Sequence, residues 1–168
     1  MTNSTDTFNS PIDAECPTGQ NNSSENLFSQ EFLLVWEEKI EKWKAAAEEG
    51  DPEGQVQFGA CCYFGDGVPR DMAEAVKWYR KAAEQGNAEA QCRLGLCYDA
   101  GTGVPQDKEE AVTWYNKAAE QGHVDALHLL GAFYYYGWGV LKDEEQAVKW
   151  LQRAEERGCE SLLRQMGK

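Results

Sequence analysis

The sequence predicts an all-α fold, an α-solenoid of three helical hairpins, and two periodic observations carry that prediction. Single residues recur every 36 positions: the tryptophans Trp78, Trp114 and Trp150, and the glycines Gly50, Gly86, Gly122 and Gly158. A fixed period of this length indicates one small structural unit copied along the chain and stabilised by stacking on its neighbours. The function is therefore expected to belong to a surface that the stacked units share.

The boundaries of the units follow from the register of the repeat. Three segments align column by column without a gap, and they comprise residues 51–86, 87–122 and 123–158. Each segment contains a GxGV turn, then an aspartate, then alanines on both sides of the tryptophan. Because every column keeps its step, each unit is expected to adopt the same local structure.

The first helix of each unit is predicted from an apolar stripe. In the central unit Ala90, Leu94 and Tyr98 recur at intervals of four residues, which is one face of an α-helix, and the GxGV turn ends it. A glycine inside this helix, such as Gly95, costs about 1 kcal/mol relative to alanine. We therefore expect this glycine to permit close approach of the second helix, with alanines across from it and the tryptophan beside it.

The second helix of each unit is predicted to begin at an aspartate that can accept hydrogen bonds from free backbone N–H groups. These residues are Asp71, Asp107 and Asp143, and three positions later Glu74, Glu110 and Gln146 complete a pattern resembling a capping box. A glycine such as Gly86 suits the left-handed conformation that closes a helix. Each unit is thus predicted to be a helical hairpin, too small to bury its apolar faces alone.

Half-units are predicted at both ends of the repeat domain, residues 31–168. Residues 31–49 align with a second helix and carry the stripe Trp36, Ile40, Trp43 and Ala47, so they are expected to form a capping helix. Residues 159–168 align with the opening of another first helix, in either a short finished array or a fragment of a longer one. Residues 1–30 are polar with only acidic charges, and they are predicted to be a disordered tail.

The repeated segment resembles a known family. Residues 88–122, AEAQCRLGLCYDAGTGVPQDKEEAVTWYNKAAEQG, closely resemble the Sel-1-like repeat, an α-solenoid relative of the tetratricopeptide repeat, and the resemblance covers residues 51–158. The first unit departs from the family pattern at Gly54 and Cys62, and the third at Leu141 and Leu151. Because cysteine-rich relatives are described as β-lactamases or penicillin binders, the resemblance implies a cell-wall type hydrolase as one alternative function.

Motifs for catalysis or cofactor binding are not visible in the sequence. No serine is followed three positions later by lysine, as serine β-lactamases require, and no glycine-rich phosphate loop precedes a lysine. Cys92, His123 and His128 lack the spacing of a metal site, and His123 is expected to occupy a helix start. We therefore predict a non-enzymatic protein without cofactor or metal.

The net charge and the positions of the cysteines limit which classes of partner and which cellular compartment are expected. The 29 acidic and 16 basic residues give a net charge of −13, which disfavours nucleic acid binding. We interpret the acidity as a solubilising surface, with a site for a basic partner as the alternative. The six cysteines are poorly placed for disulfides, and neither a signal peptide nor a transmembrane segment is visible, so a cytoplasmic protein with free thiols and no membrane insertion is predicted.

The predicted binding face is the stripe of first-helix residues whose chemistry changes from unit to unit. In helical-repeat arrays such a stripe lines a concave groove, so we expect an interaction module or adaptor that binds another protein or a peptide. The alternatives are a merely variable surface, a structural subunit of a larger complex, and, for the aromatic residues, a cover for the end of the array. The stripe comprises Glu53, Val56, Ala60 and Tyr63 in the first unit, Glu89, Cys92, Leu96 and Asp99 in the second, and Asp125, His128, Ala132, Tyr135, Tyr136 and Trp138 in the third.

Overall fold

The computed structural model contains only helices in the part of the chain that it describes, which is residues 23–166 for the backbone and residues 34–158 for the side chains. The predicted all-α solenoid is confirmed. The helices are α1 (Ser23–Glu49), α2 (Pro52–Phe64), α3 (Met72–Glu84), α4 (Ala88–Ala100), α5 (Lys108–Glu120), α6 (Val124–Tyr136) and α7 (Glu144–Met166).

The chain divides into two units, residues 1–34 and residues 35–168. In the first unit the described residues are the opening turns of α1, which begins at Ser23 instead of residue 31 and so includes part of the predicted disordered tail. The sequence between Gly19 and Gly50 has neither glycine nor proline, so nothing local ends the helix sooner. The rest of the predicted tail, residues 1–22, lies outside the described residues.

The first helices α2, α4 and α6 begin at a side chain that accepts a backbone hydrogen bond. Asn87 Oδ1 accepts from the Ala90 N–H at 2.8 Å, and Asp51 and His123 do the same in the other two units. The expected place of His123 at a helix start is confirmed. Each of these helices ends at a left-handed glycine of the GxGV turn, Gly65, Gly101 or Gly137.

The second helices begin as predicted, because Asp71, Asp107 and Asp143 each accept from the backbone N–H three residues later, at 2.9 to 3.0 Å. Helices α3 and α5 end before Gly86 and Gly122, which have positive φ. In α7, however, the helix continues through Gly158 to Met166 and absorbs the backbone of the predicted separate C-terminal helix. Positions 51, 87 and 123 hold capping residues, whereas the equivalent position holds Cys159, whose thiol is a weak acceptor.

The glycine inside each first helix allows close approach of the second helix, as expected, but the residue after the tryptophan fills most of the space, a tyrosine in the first two units and Leu151 in the third. A Cβ atom on Gly95 would lie 2.5 Å from Tyr115 Cε1 and 3.2 Å from the Ala111 carbonyl oxygen. Tyr79 faces Gly59 in the same way, and its neighbour Trp78 approaches with its Cβ atom only. The sequence-based prediction placed the tryptophan beside this glycine, but the residue that follows the tryptophan makes most of that contact.

The second glycine of the GxGV turn makes a contact between repeats. A Cβ atom on Gly103 would overlap the carbonyl oxygen of Met72 in the preceding repeat and would lie 2.6 Å from its carbonyl carbon. In the following pair of repeats, a Cβ atom on Gly139 would lie 2.5 Å from the carbonyl group of Lys108. The turns of the second and third units are thus seated on the start of the preceding second helix, which fixes how one hairpin stacks on the next.

Two buried glutamines add a polar contact at the repeat boundary. Gln91 Nε2 donates to the Ala83 carbonyl oxygen of the preceding unit at 3.1 Å, and Gln91 Oε1 accepts from Gln121 Nε2 at 2.8 Å. Gln55 repeats this arrangement one unit earlier, whereas the third unit has buried Leu127 at this position. At this position, hydrogen bonds therefore attach α2 and α4 to the preceding unit, whereas α6 is held by apolar packing.

Candidate partner-binding face

The stripe predicted for partner binding is narrower than expected. Val56 and Cys92 are 2% and 3% exposed and lie in the hydrophobic core, so they are unable to contact a partner of the folded domain. The first helices are covered by a neighbouring repeat as well as by their own second helix, which leaves a smaller exposed arc than an isolated amphipathic helix has. In the same column of the third unit His128 is exposed, so the column differs in burial as well as in chemistry.

We define the first-helix face as the residues of the stripe that retain exposed surface. It consists of Glu53, Ala60, Tyr63, Glu89, Leu96, Asp99, Asp125, His128, Ala132, Tyr135, Tyr136 and Trp138. Two large apolar side chains stand out on it, since Leu96 is 44% exposed and Tyr135 is 50% exposed. Phe64 at the end of α2 is also exposed and was missed, although it shares a column with Tyr136. These side chains give the face exposed apolar surface, whose hydration is unfavourable.

An aromatic cluster, Tyr135, Tyr136 and Trp138, occupies the third unit at the end of α6. The rings of Tyr136 and Trp138 stack at a centroid distance of 4.7 Å, and Tyr135 meets Tyr136 edge to face at 5.0 Å. Tyr136 is 59% exposed and Trp138 is 42% exposed. Lys108 Nζ lies 5.0 Å from the Trp138 ring and Lys142 Nζ lies 5.5 Å from the Tyr135 ring. The cluster is thus preorganised while half its surface stays open.

The carboxylates of the first-helix face differ in how they are paired. Asp99 forms an ion pair with Lys108 at 2.6 Å. Glu53 accepts a hydrogen bond from the Gln57 side chain at 2.8 Å, and neither Glu53 nor Asp125 takes part in an ion pair within residues 34–158. Among the residues whose side chains are described, these two carboxylates are therefore exposed without a paired cation.

Glu89 joins the second and third units. Its carboxylate accepts from His123 Nε2 at 2.8 Å and from Arg93 Nε at 2.6 Å. Because His123 Nδ1 accepts from the Ala126 N–H at 3.4 Å, the imidazole proton lies on Nε2 and is donated to Glu89. The hydrogen bond from His123, with the charge of Arg93, lowers the pKa of Glu89 to about 2 despite partial burial that would raise it.

This lowered pKa makes a testable contribution to stability. A carboxylate whose pKa falls on folding stabilises the native state above its unfolded pKa of 4.5, and the contribution disappears as pH drops through about 2. Since the Glu89 side chain is 43% exposed and therefore screened, we expect Glu89→Gln to lower the free energy of unfolding by only about 1 kcal/mol at pH 7. Urea unfolding at pH 7, 4.5 and 2 measures the effect.

The matched control for this prediction is Glu53→Gln, in the same column of the first unit, where the carboxylate accepts only from Gln57. Its cost at pH 7 should be smaller than that of Glu89→Gln. A difference between wild type and Glu89→Gln that stays constant from pH 7 to pH 2 would show that the ion pairs of Glu89 do not stabilise the fold.

The cysteines with described side chains, Cys61, Cys62, Cys92 and Cys97, are buried free thiols. Burial raises the pKa of Cys61 and Cys97 to about 11 and that of Cys92 to about 12, so all three are protonated at neutral pH. They pack as small apolar side chains in the core. Cys92, predicted for partner binding, belongs with them.

Shallow depressions of about 340 and 480 Å³ lie along the outer side of α7, lined by residues such as Lys149 and Gln152. Neither touches the first-helix face. Within the described residues, no three histidine, cysteine or acidic side chains converge as metal ligands. None of the described helices combines the length and apolar character needed to span a bilayer.

Comparison with known proteins assigns the repeat. The family profile described as Sel1 repeat matches residues 52–87, 88–123 and 124–159, one position later than the units aligned above. These matches cover more than half of the chain. The chain belongs to the Sel1 repeat family. Sel1 repeat folds are generally protein-interaction modules. No curated protein matches the chain.

Several solved structures share the fold of this Sel1 repeat chain. A protective antigen of uropathogenic Escherichia coli strains is 39% identical with a TM-score of 0.69, over 71% of this chain and 26% of the antigen. A Sel1 repeat protein from Oxalobacter formigenes is 38% identical with a TM-score of 0.70, over 73% of this chain and 50% of that protein. The cysteine-rich protein B of Helicobacter pylori is 27% identical with a TM-score of 0.58, over 74% and 89% of the two chains. This chain thus spans about a quarter of the first relative and half of the second.

Proposed function

We propose that this Sel1 repeat domain is a non-enzymatic adaptor that binds a peptide or a helix of another protein along its first-helix face. The observation that carries the proposal is the exposure of large apolar side chains on this face, Leu96 and Tyr135 above all. Exposed aromatic and aliphatic side chains of this size anchor protein interfaces. The face crosses consecutive repeats, so a bound segment would contact several units at once.

The variation along the face supports the proposal further. Core columns keep their chemistry, as with the buried Ala75, Ala111 and Ala147. In contrast, one column of the face holds Tyr63, Asp99 and Tyr135 in the three units. A surface that recognises one segment needs a different contact at each step, since side chains along a peptide differ. The aromatic cluster places its three rings at one end, where they would fix the position of the segment.

The triple variant Tyr63→Ala, Leu96→Ala and Tyr135→Ala tests the face. Random peptides displayed on phage would be selected on the wild-type protein, and the enriched sequences titrated against both proteins. We expect them to bind the variant at least ten-fold more weakly, because three contacts in three repeats are removed. The far-UV circular dichroism spectrum should be unchanged.

Two further variants make this test decisive. Tyr63 packs partly on the core, so Leu96→Ser with Tyr135→Ser repeats the measurement without disturbing it. Val35→Ser with Val148→Ser removes two exposed apolar side chains of α1 and α7 that lie off the face, and it should leave binding within two-fold of wild type. Enriched peptides that bind all variants equally, or no enrichment at all, would refute the assignment of the face.

A further inference from the structure

We propose that the segment bound on the first-helix face combines basic and apolar side chains, as in a lysine- or arginine-bearing amphipathic helix. This inference rests on the proposed function and names the chemistry of the partner. It is carried by the way charge is divided between the two sets of helices, together with the rings at the C-terminal ends of the first helices.

Cations are nearly absent from the first helices. Helices α2 and α6 contain no lysine or arginine, and α4 contains only Arg93, which is paired with Glu89. Helices α3 and α5 carry cations at Lys77, Arg80, Lys81, Lys108 and Lys117, intermixed with carboxylates. The five cations of α3 and α5 are balanced by five carboxylates, whereas α2, α4 and α6 together hold four carboxylates and one cation. Within α2–α6 the excess of negative charge therefore lies on the helices that carry the exposed apolar side chains of the face.

The unpaired carboxylates stand at the ends of this face. Glu53 is in the first turn of α2 and Asp125 is in the first turn of α6, so they belong to the first and third repeats. Each is exposed, and neither is in an ion pair within residues 34–158. A segment crossing the face would meet a carboxylate near each end, and positive side chains on that segment would complement both.

The exposed rings favour the same partner. Tyr63 in the first unit and the aromatic cluster in the third present ring faces and edges, and lysine already lies above Tyr135 and Trp138 within the domain. An aromatic face attracts an ammonium or guanidinium group and also covers the apolar stem of that side chain. An acidic partner would gain neither contact and would be repelled by Glu53 and Asp125.

A solubilising role for these acids is the competing explanation, and it makes a different prediction. Acids that serve only solubility act through net charge, so removing any two of them should weaken the attraction of a basic peptide equally. Acids that contact the partner act through their position. The double variant Glu53→Gln with Asp125→Asn therefore has a matched control, Glu84→Gln with Glu120→Gln, which changes net charge by the same amount at exposed positions of α3 and α5.

The experiment uses the full chain and three labelled 18-residue peptides of helical period, built from leucine with lysine, glutamine or glutamate. Fluorescence anisotropy should show the lysine peptide binding at least ten-fold more tightly than the glutamine peptide, and the glutamate peptide most weakly. The Glu53→Gln, Asp125→Asn variant should weaken binding of the lysine peptide at least five-fold, and the control variant less than two-fold. The difference should shrink as salt is added.

Three outcomes would overturn the inference, and each says something different. Equal weakening by the two charge variants would mean attraction by net charge alone. If the glutamine peptide bound as tightly as the lysine peptide, and Leu96→Ser with Tyr135→Ser abolished both, the face would stand and the basic preference would be wrong. Binding that neither the apolar nor the charge variants alter would refute the face as well.

Discussion

Gly103→Ala should lower the free energy of unfolding by about 4 kcal/mol, one of the largest effects expected for a single methyl group in this chain. Two costs combine at this position. The backbone has φ of +73°, which an alanine adopts only with strain, and the added Cβ atom would overlap the backbone carbonyl of Met72 in the preceding repeat. The added Cβ atom would contact backbone atoms, which are unable to move away as a flexible side chain does. The overlap is therefore removed only if one hairpin shifts relative to the next. Urea unfolding monitored by circular dichroism measures the loss.

The control for this prediction separates the two costs. Gly86 also has positive φ, +92°, but a Cβ atom there would meet nothing within 4 Å. Gly86→Ala should therefore show the backbone strain alone, about 1 to 2 kcal/mol. If both variants lost the same stability, the seating of the turn on the preceding repeat would contribute nothing measurable.

Trp114→Ala should lower the free energy of unfolding by about 3 to 5 kcal/mol, because it opens a cavity in the central repeat. Trp114 is 6% exposed, and its indole N–H donates to Glu110 Oε1 at 2.8 Å. Lys117 Nζ lies 3.9 Å from its ring centroid, so one exposed cation–π contact is lost too. The thermal midpoint measured by calorimetry should fall strongly.

Trp138→Ala is the matched comparison, since Trp138 is the same residue type at 42% exposure and packs only partly on Phe133. We expect it to cost only about 1 kcal/mol, because a large part of the removed surface is already in water. An unchanged midpoint for Trp114→Ala, or equal losses for the two variants, would contradict the packing described for the repeated tryptophan.

Much of the fold was predictable because it depends on local chemistry repeated at a fixed step. Asp107 followed by Glu110 is a local signal for a helix start. Gly101 can adopt the left-handed conformation that ends a helix, because it has no Cβ atom. These signals involve residues within a few positions of one another, so sequence alone locates them. The helix bounds in the first two units follow from them almost without change, whereas α7 in the third unit runs on past Gly158.

The contacts between repeats were not predictable in the same way. The seating of Gly103 on Met72, and the hydrogen bond of Glu89 with His123, join residues about one period apart, and a single sequence gives no measure of their distance. The buried glutamines were the nearest to a visible signal, since Gln55 and Gln91 recur at the repeat step in a column that an apolar core would not favour.

The stripe predicted for partner binding includes residues that the fold buries. The exposed residues Leu96 and Tyr135 were found because the face changes chemistry between units. Val56 and Cys92 lie in another column that changes chemistry, yet both are buried. A change of residue type between units shows that no single side chain is required there, and it does not show that the position is exposed. Which positions of the stripe remain exposed to solvent depends on how the neighbouring repeats pack against each first helix.

Helix α7 continues through Gly158, whereas the chain turns at the equivalent glycine of each earlier junction. Three earlier junctions pair a left-handed glycine with an acceptor atom on the next side chain, and there the backbone reverses. Where a thiol follows Gly158 instead, the glycine is carried along as an ordinary helical residue. In this chain, reversal after the glycine therefore coincides with an oxygen or nitrogen acceptor on the next side chain, and a continuous helix coincides with a cysteine there.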